Sequence, residues 1–196
     1  METFNIEKLP DYFTFAKEGE VFVFDTETTG CGDSDDIIQL ALLHAKDGEV
    51  VSSSSAYIRS EVPIDGTEAQ SVNDITDEFL DLNGKKPIEV LSAFRLTICE
   101  AVDRAGKCLL VAHNLPFDLR MVENAFRRYG LEELPDGVIG CDTLAFVRAM
   151  AFPKDILPNN KLGTCMEAFA LDGENSHEAL ADTHACYKSE RESLIP

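Results

Sequence analysis

The run Val21-Phe22-Val23-Phe24-Asp25-Thr26-Glu27-Thr28-Thr29-Gly30 constrains this chain more than any other stretch. Four consecutive strand-favouring apolar residues read as a strand buried on both faces. Two carboxylates follow two residues apart. Side chains alternate across a strand, so Asp25 and Glu27 leave the same face, roughly 6–7 Å apart. Desolvation and mutual repulsion both oppose two like charges at the end of a buried strand. A divalent cation resolves that conflict, and an oxygen-only donor set selects Mg²⁺ or Mn²⁺ over zinc. Gly30 is expected to turn the backbone with a positive φ beside the ligand. Taken alone, Asp-x-Glu is equally compatible with a solvated acidic turn, so further carboxylates have to decide the matter.

At 196 residues the chain is read as a single domain (1–196, core about 20–190) with enough length for a full core. No stretch reaches the apolar length of a membrane span, and residues 1–20 do not resemble a signal peptide. The six cysteines are scattered without a Cys-x-x-Cys pair. That pattern points to reduced thiols and a cytoplasmic location rather than to zinc or a disulfide framework. The net charge of −19 argues against a broad cationic face for long nucleic acid and implies a weak grip on long polymers. The charge is uneven: residues 1–82 and 131–196 are acidic, whereas 83–130 carry a net positive charge that can guide a short polyanion.

In chain order, strands are expected at 21–27, 37–43 and 50–58. Lys46-Asp47-Gly48-Glu49 supplies a tight hairpin turn, and the serines of the third strand suggest an exposed edge. Gln39-Leu40-Ala41-Leu42-Leu43 resembles a sliding-clamp-binding peptide, but its apolar side chains are better used in the sheet. Residues 59–86 read mostly as loop with a short helix at 76–82. Pro87 opens a helix that Gly106 ends, 108–112 is a strand, and Pro116 starts a helix ended by Gly130. A fifth strand at 137–141 and helices near 143–151, 161–170 and 177–190 complete the chain. The implied fold is α/β: a three-strand antiparallel meander, then parallel strands, in a five-stranded mixed sheet with helices on both faces.

Asp118 falls in the first turn of the helix after strand 108–112. By itself it is an acid complementing the helix dipole. That helix nevertheless begins at the carboxyl end of a strand expected to run parallel to 21–27, where α/β sheets place ligands. Near the C-terminus, His177 and Asp182 stand five residues apart. If both were helical they would point about 140° apart, so they converge only if His177 sits at the helix start or on the loop before it.

Together, Asp25-x-Glu27, Ala112-His113-Asn114-Leu115-Pro116-Phe117-Asp118 and His177-x₄-Asp182 match, in order and spacing, the three motifs of the DEDDh exonucleases. The chain resembles the branch containing the proofreading subunit of the bacterial replicative polymerase and RNase T, over about residues 20–190. The resemblance implies a ribonuclease-H-like fold and two-metal hydrolysis releasing 5′-mononucleotides from single-stranded 3′ ends, of DNA (proofreading or repair) or of RNA. It implies two Mg²⁺ or Mn²⁺ ions held by Asp25, Glu27, Asp118 and Asp182, with His177 as general base. It further implies nucleotide contacts around Thr26, Thr28, Thr29 and Asn114. Asp142, before a helix, is read as a cap rather than a ligand. A DNA polymerase is an implied partner, and docking to one is an alternative main role. One departure is Val72-Asn73-Asp74-Ile75-Thr76, where relatives often carry Val-His-Gly-Ile-Thr. An unrelated acidic metal-binding α/β protein is the remaining alternative.

Overall fold

In the computed structural model, which describes Phe15, residues 17–168, Ala179, Thr183 and Cys186, β1 (Glu20–Thr28) takes the middle of a five-stranded sheet ordered β3-β2-β1-β4-β5. β2 (Ile37–Lys46) and β3 (Glu49–Tyr57) form the antiparallel meander. Asp47 and Gly48, at φ 51° and 81°, make the tight turn that the sequence calls for. β4 (Cys108–Ala112) and β5 (Val138–Asp142) add on the other side of β1, parallel to it. β3 lies at the edge with its Val50–Ser54 segment exposed, as its serines suggest.

Alternation along β1 divides the core. Phe22 and Phe24 face Leu91, Phe94, Met121 and Phe126 of two helices, α3 (Pro87–Ala105) and α4 (Leu115–Tyr129). Val21 and Val23 face Leu109, Val111, Leu162 and Cys186 on the opposite side. Burial on both faces is what the uninterrupted apolar run requires. α3 starts at Pro87 and ends where Gly106 adopts φ 77°; α4 ends at Gly130, φ 68°. α5 (Thr143–Met150) and α6 (Leu162–Ala168) follow the last strand. The expected helix at 177–190 lies largely outside the described residues. Ala179, Thr183 and Cys186, which belong to it, are helical and buried.

The stretch 59–86 holds more helix than expected. Besides α2 (Asp77–Asn83), whose N-cap is Thr76, there is α1 (Glu68–Asn73). Its signal was local: Thr67 Oγ1 accepts from Gln70 N–H at 3.2 Å, the Thr-x-x-Gln pattern of a helix start. The Asn73-Asp74 departure from the family pattern serves this segment. Asp74 is the left-handed cap of α1, Asn73 accepts from Ile75 N–H, and Ile75 packs with Ile38, Ile64 and Leu80.

Candidate active site

β1 outruns β4, and that mismatch makes the site. The parallel ladder joins Val21, Phe22 and Val23 to Leu109, Leu110 and Val111, whereas β1 remains paired with β2 as far as Thr28. Past Val23, the β4-facing edge of β1 has outgoing backbone groups that need another partner. Asp118 supplies it. Its Oδ1 accepts from Thr26 N–H at 3.1 Å and from Thr26 Oγ1 at 2.7 Å. The first turn of α4 is thereby fastened to the residue between Asp25 and Glu27. Those two acids follow Val21 and Val23 on the face opposite α4, so the structure brings three of the five expected site residues to one strand end.

Asp118 is 3% exposed. Burial pushes its carboxyl up to about 7; the two Thr26 bonds oppose that, and the charge of Asp142 adds to it. Both Thr26 donors fall on Oδ1. A desolvated carboxylate with this environment suits a hard cation, which would keep it ionised. Among the described residues no three His, Cys, Asp or Glu side chains gather closely enough to form a metal site by themselves. His177 and Asp182 lie outside the described residues. Within that segment, Ala179 N–H points to Gln39 Oε1 at 3.4 Å, and Gln39 is the register partner of Glu27.

The threonines after Asp25 are engaged internally. Thr28 Oγ1 donates to Gly30 O at 2.7 Å, and Thr29 Oγ1 donates to Asp35 and accepts from Asp36 N–H. All three threonine side chains, Thr26 included, are buried. Gly30 departs from expectation: its φ is not positive. An added Cβ would stand 2.5 Å from Asp35 Oδ2, so the Asp35 carboxylate, held by Gly32 N–H and Thr29 Oγ1, would have to shift.

The acidic loop 31–36 is bound to α4. Arg120 donates to Asp33 Oδ1 at 2.6 Å and to Cys31 O at 3.0 Å. Arg128 pairs with the buried Asp36, which also accepts from Ser60 Oγ at 2.8 Å and Glu61 N–H at 3.1 Å. Arg95 pairs with Glu132 and Arg104 with Glu20. Four arginines of the positive middle third are thus engaged in ion pairs within the chain, and charge counting along the chain had no means of detecting it.

At the end of β4, Asn114 sits at φ 81° as the exposed first cap of α4. Its N–H donates to Asp142 Oδ1, which also accepts from Leu144 N–H, both at 3.0 Å. Asp142 is therefore the cap expected of it, and it secures two helix starts with one oxygen. His113, its pKa lowered by burial, contacts Asn160 O at 2.9 Å through Nε2 and Thr143 Oγ1 at 3.0 Å through Nδ1. A carbonyl only accepts, so Nε2 carries the proton and Nδ1 of the neutral ring accepts from Thr143.

A five-stranded mixed sheet of this order, with acidic residues at the carboxyl end of its central strand and in the helix turn fastened to it, is the ribonuclease-H-like fold. The family model described as "Exonuclease" matches residues 22–189, and the chain belongs to that family, in its DEDDh branch. Among curated proteins it is similar to the PolC-type DNA polymerase III of Listeria innocua, 34% identical over 165 residues, covering 83% of this chain and 10% of the polymerase. The PolC-type polymerase of Latilactobacillus sakei is 32% identical over 182 residues, covering 90% of this chain and 12% of that protein. The chain thus spans about a tenth of the length of these relatives. Among solved structures, the zinc-bound Escherichia coli ExoI–ssDNA complex shares its fold, with TM-score 0.75, 18% identity, and coverage of 89% of this chain and 40% of that one. Exonuclease I of Methylocaldum szegediense gives TM-score 0.73 at 16% identity, covering 89% of this chain and 40% of that one.

Proposed function

We propose that this chain hydrolyses phosphodiester bonds at single-stranded DNA 3′ ends, releasing 5′-mononucleotides with two bound Mg²⁺ or Mn²⁺ ions. The observation that carries the reading is the fastening of Asp118 to Thr26, between the two acids of β1. When bound, the cations neutralise charge on the attacking water and on the leaving 3′ oxygen. Asp25, Glu27, Asp118 and Asp182 hold them. His177 takes the proton of the attacking water on a ring nitrogen. The contact between Ala179 and Gln39, beside Glu27, supports bringing the His177–Asp182 segment to this end of the sheet. The exposed Asn114 and the backbone around Thr28 and Thr29 meet the terminal nucleotide.

The DNA assignment draws on the relatives, which are DNA polymerases, and on the fold neighbour solved with ssDNA. A polymerase is accordingly the proposed partner. A cytoplasmic location accords with six cysteines, none in a disulfide, and with the absence of any membrane-crossing helix among the described residues.

The test uses matched 5′-labelled DNA and RNA oligonucleotides with Mg²⁺ or Mn²⁺, read as product ladders. Wild type shortens the DNA from its 3′ end. Asp25→Ala abolishes the ladder, and His177→Ala slows it by about 10²-fold or more while keeping metal binding. Wild-type rates in both variants would overturn the assignment, and faster trimming of RNA would overturn the choice of substrate.

A further inference from the structure

The geometry points to Thr26 as a positioning residue for Asp118, a role distinct from the nucleotide contact that its place in the first motif suggests. The inference rests on Asp118 being a metal ligand, as proposed above. Thr26 lies between two acids that leave β1 on one face, and alternation sends its own side chain to the other. There it is buried, 7% exposed. Among the described residues its hydroxyl meets Asp118 Oδ1, at 2.7 Å, and its N–H meets the same oxygen at 3.1 Å.

Two donors converging on one oxygen fix its position and restrict how the carboxylate turns about it. The N–H alone would hold Oδ1 near the strand but leave the plane of the carboxylate less constrained; the hydroxyl, a second donor to the same oxygen, narrows that freedom. Oδ2 takes neither donor and remains directed by the grip on its twin. A ligand carboxylate has to be oriented before the ion arrives, or the ordering cost is subtracted from affinity. The backbone donor is present whatever residue stands at 26, but the hydroxyl depends on Thr or Ser there. Position 26 therefore tunes the site through a side chain that touches neither metal nor nucleic acid.

The experiment compares Thr26→Val, which keeps the β-branched shape and the N–H but loses the hydroxyl, with Thr26→Ser, which keeps the hydroxyl. Asp118→Asn is the reference. Mn²⁺ binding without substrate is followed by calorimetry and by the loss of the free-ion EPR signal; kcat and KM are measured on a single-stranded DNA oligonucleotide. Thr26→Val weakens Mn²⁺ binding and lowers kcat by about 10-fold or more, with KM for the oligonucleotide within about 2-fold of wild type. Thr26→Ser recovers both to within about 3-fold. Wild-type Mn²⁺ affinity and kcat in Thr26→Val, while Asp118→Asn is impaired, would overturn this role and leave the metal-site reading intact. Equal impairment of the Val and Ser variants would also overturn it, because the hydroxyl would then not be the cause. If Asp118→Asn itself binds Mn²⁺ and turns over like wild type, the metal-site reading falls first.

Discussion

Replacing Asp118 by Asn should stabilise the metal-free protein at alkaline pH while destroying its activity. The amide oxygen of Asn still accepts from both donors of Thr26, so packing and these hydrogen bonds are retained. What disappears is a negative charge in a site that is 3% exposed. Burial raises the Asp118 carboxyl from 3.8 to about 7. A raised folded-state pKa means the folded chain binds the proton more tightly than the unfolded chain does. Between the two values the folded state carries more protons, so stability falls as pH rises. The loss begins near the unfolded value and is complete above about 7. At about 1.4 kcal/mol per pKa unit, the full penalty is about 4 kcal/mol, a melting shift of roughly 8–16 °C for a chain of this size. Thermal unfolding in chelator should therefore show Asp118→Asn melting well above wild type at pH 8.5. The two curves should converge as pH falls below 3.8, where the wild-type carboxyl becomes protonated in both states. Adding Mn²⁺ at pH 8.5 should raise wild type more than the variant, since only wild type gains a ligand for the cation. A variant that melts at or below wild type at pH 8.5 in chelator would refute the argument that the Asp118 charge is a desolvated burden awaiting a metal.

Glu20 offers the opposite sign. Its carboxylate, 3% exposed, accepts from Arg104 at 2.6 and 2.7 Å and contacts His44 Nε2 at 2.9 Å. The Arg104 bonds hold its pKa below 4.5, so its contribution is complete above that value and is lost as pH falls through the folded-state pKa. Arg104 is half exposed, so the pair is partly screened. Glu20→Gln should cost roughly 1–2 kcal/mol at pH 7, and urea titrations should show that difference closing below pH 4; a cost that stays constant with pH would contradict the charge argument. Gly84→Ala should destabilise by roughly 1–3 kcal/mol, because the added Cβ would lie 2.5 Å from Leu80 O and 2.8 Å from Arg59 N, both backbone atoms. An unchanged denaturation midpoint would show that this junction of α2 with the end of β3 has slack.

The sequence by itself determined the sheet and where Asp25, Glu27 and Asp118 of the candidate site stand on it. An unbroken apolar run, an Asp-Gly turn and a sequence of Pro and Gly helix signals fix the order of elements, because those signals act within a few residues of themselves. The same locality put Asp25, Glu27 and Asp118 at strand and helix ends, and motif spacing tied them to His177 and Asp182. Long-range partnership was decided only by the tertiary structure. That Thr26 serves Asp118, that Asp142 holds Asn114, and that Arg120 and Arg128 are used up on the loop 31–36 all depend on contacts between residues far apart in sequence. Nothing in a residue's neighbours along the chain specifies them. The glycine at 30 shows the difference: the sequence suggests a left-handed turn there, whereas in the fold its φ is not positive and the carboxylate of Asp35 is folded back against it.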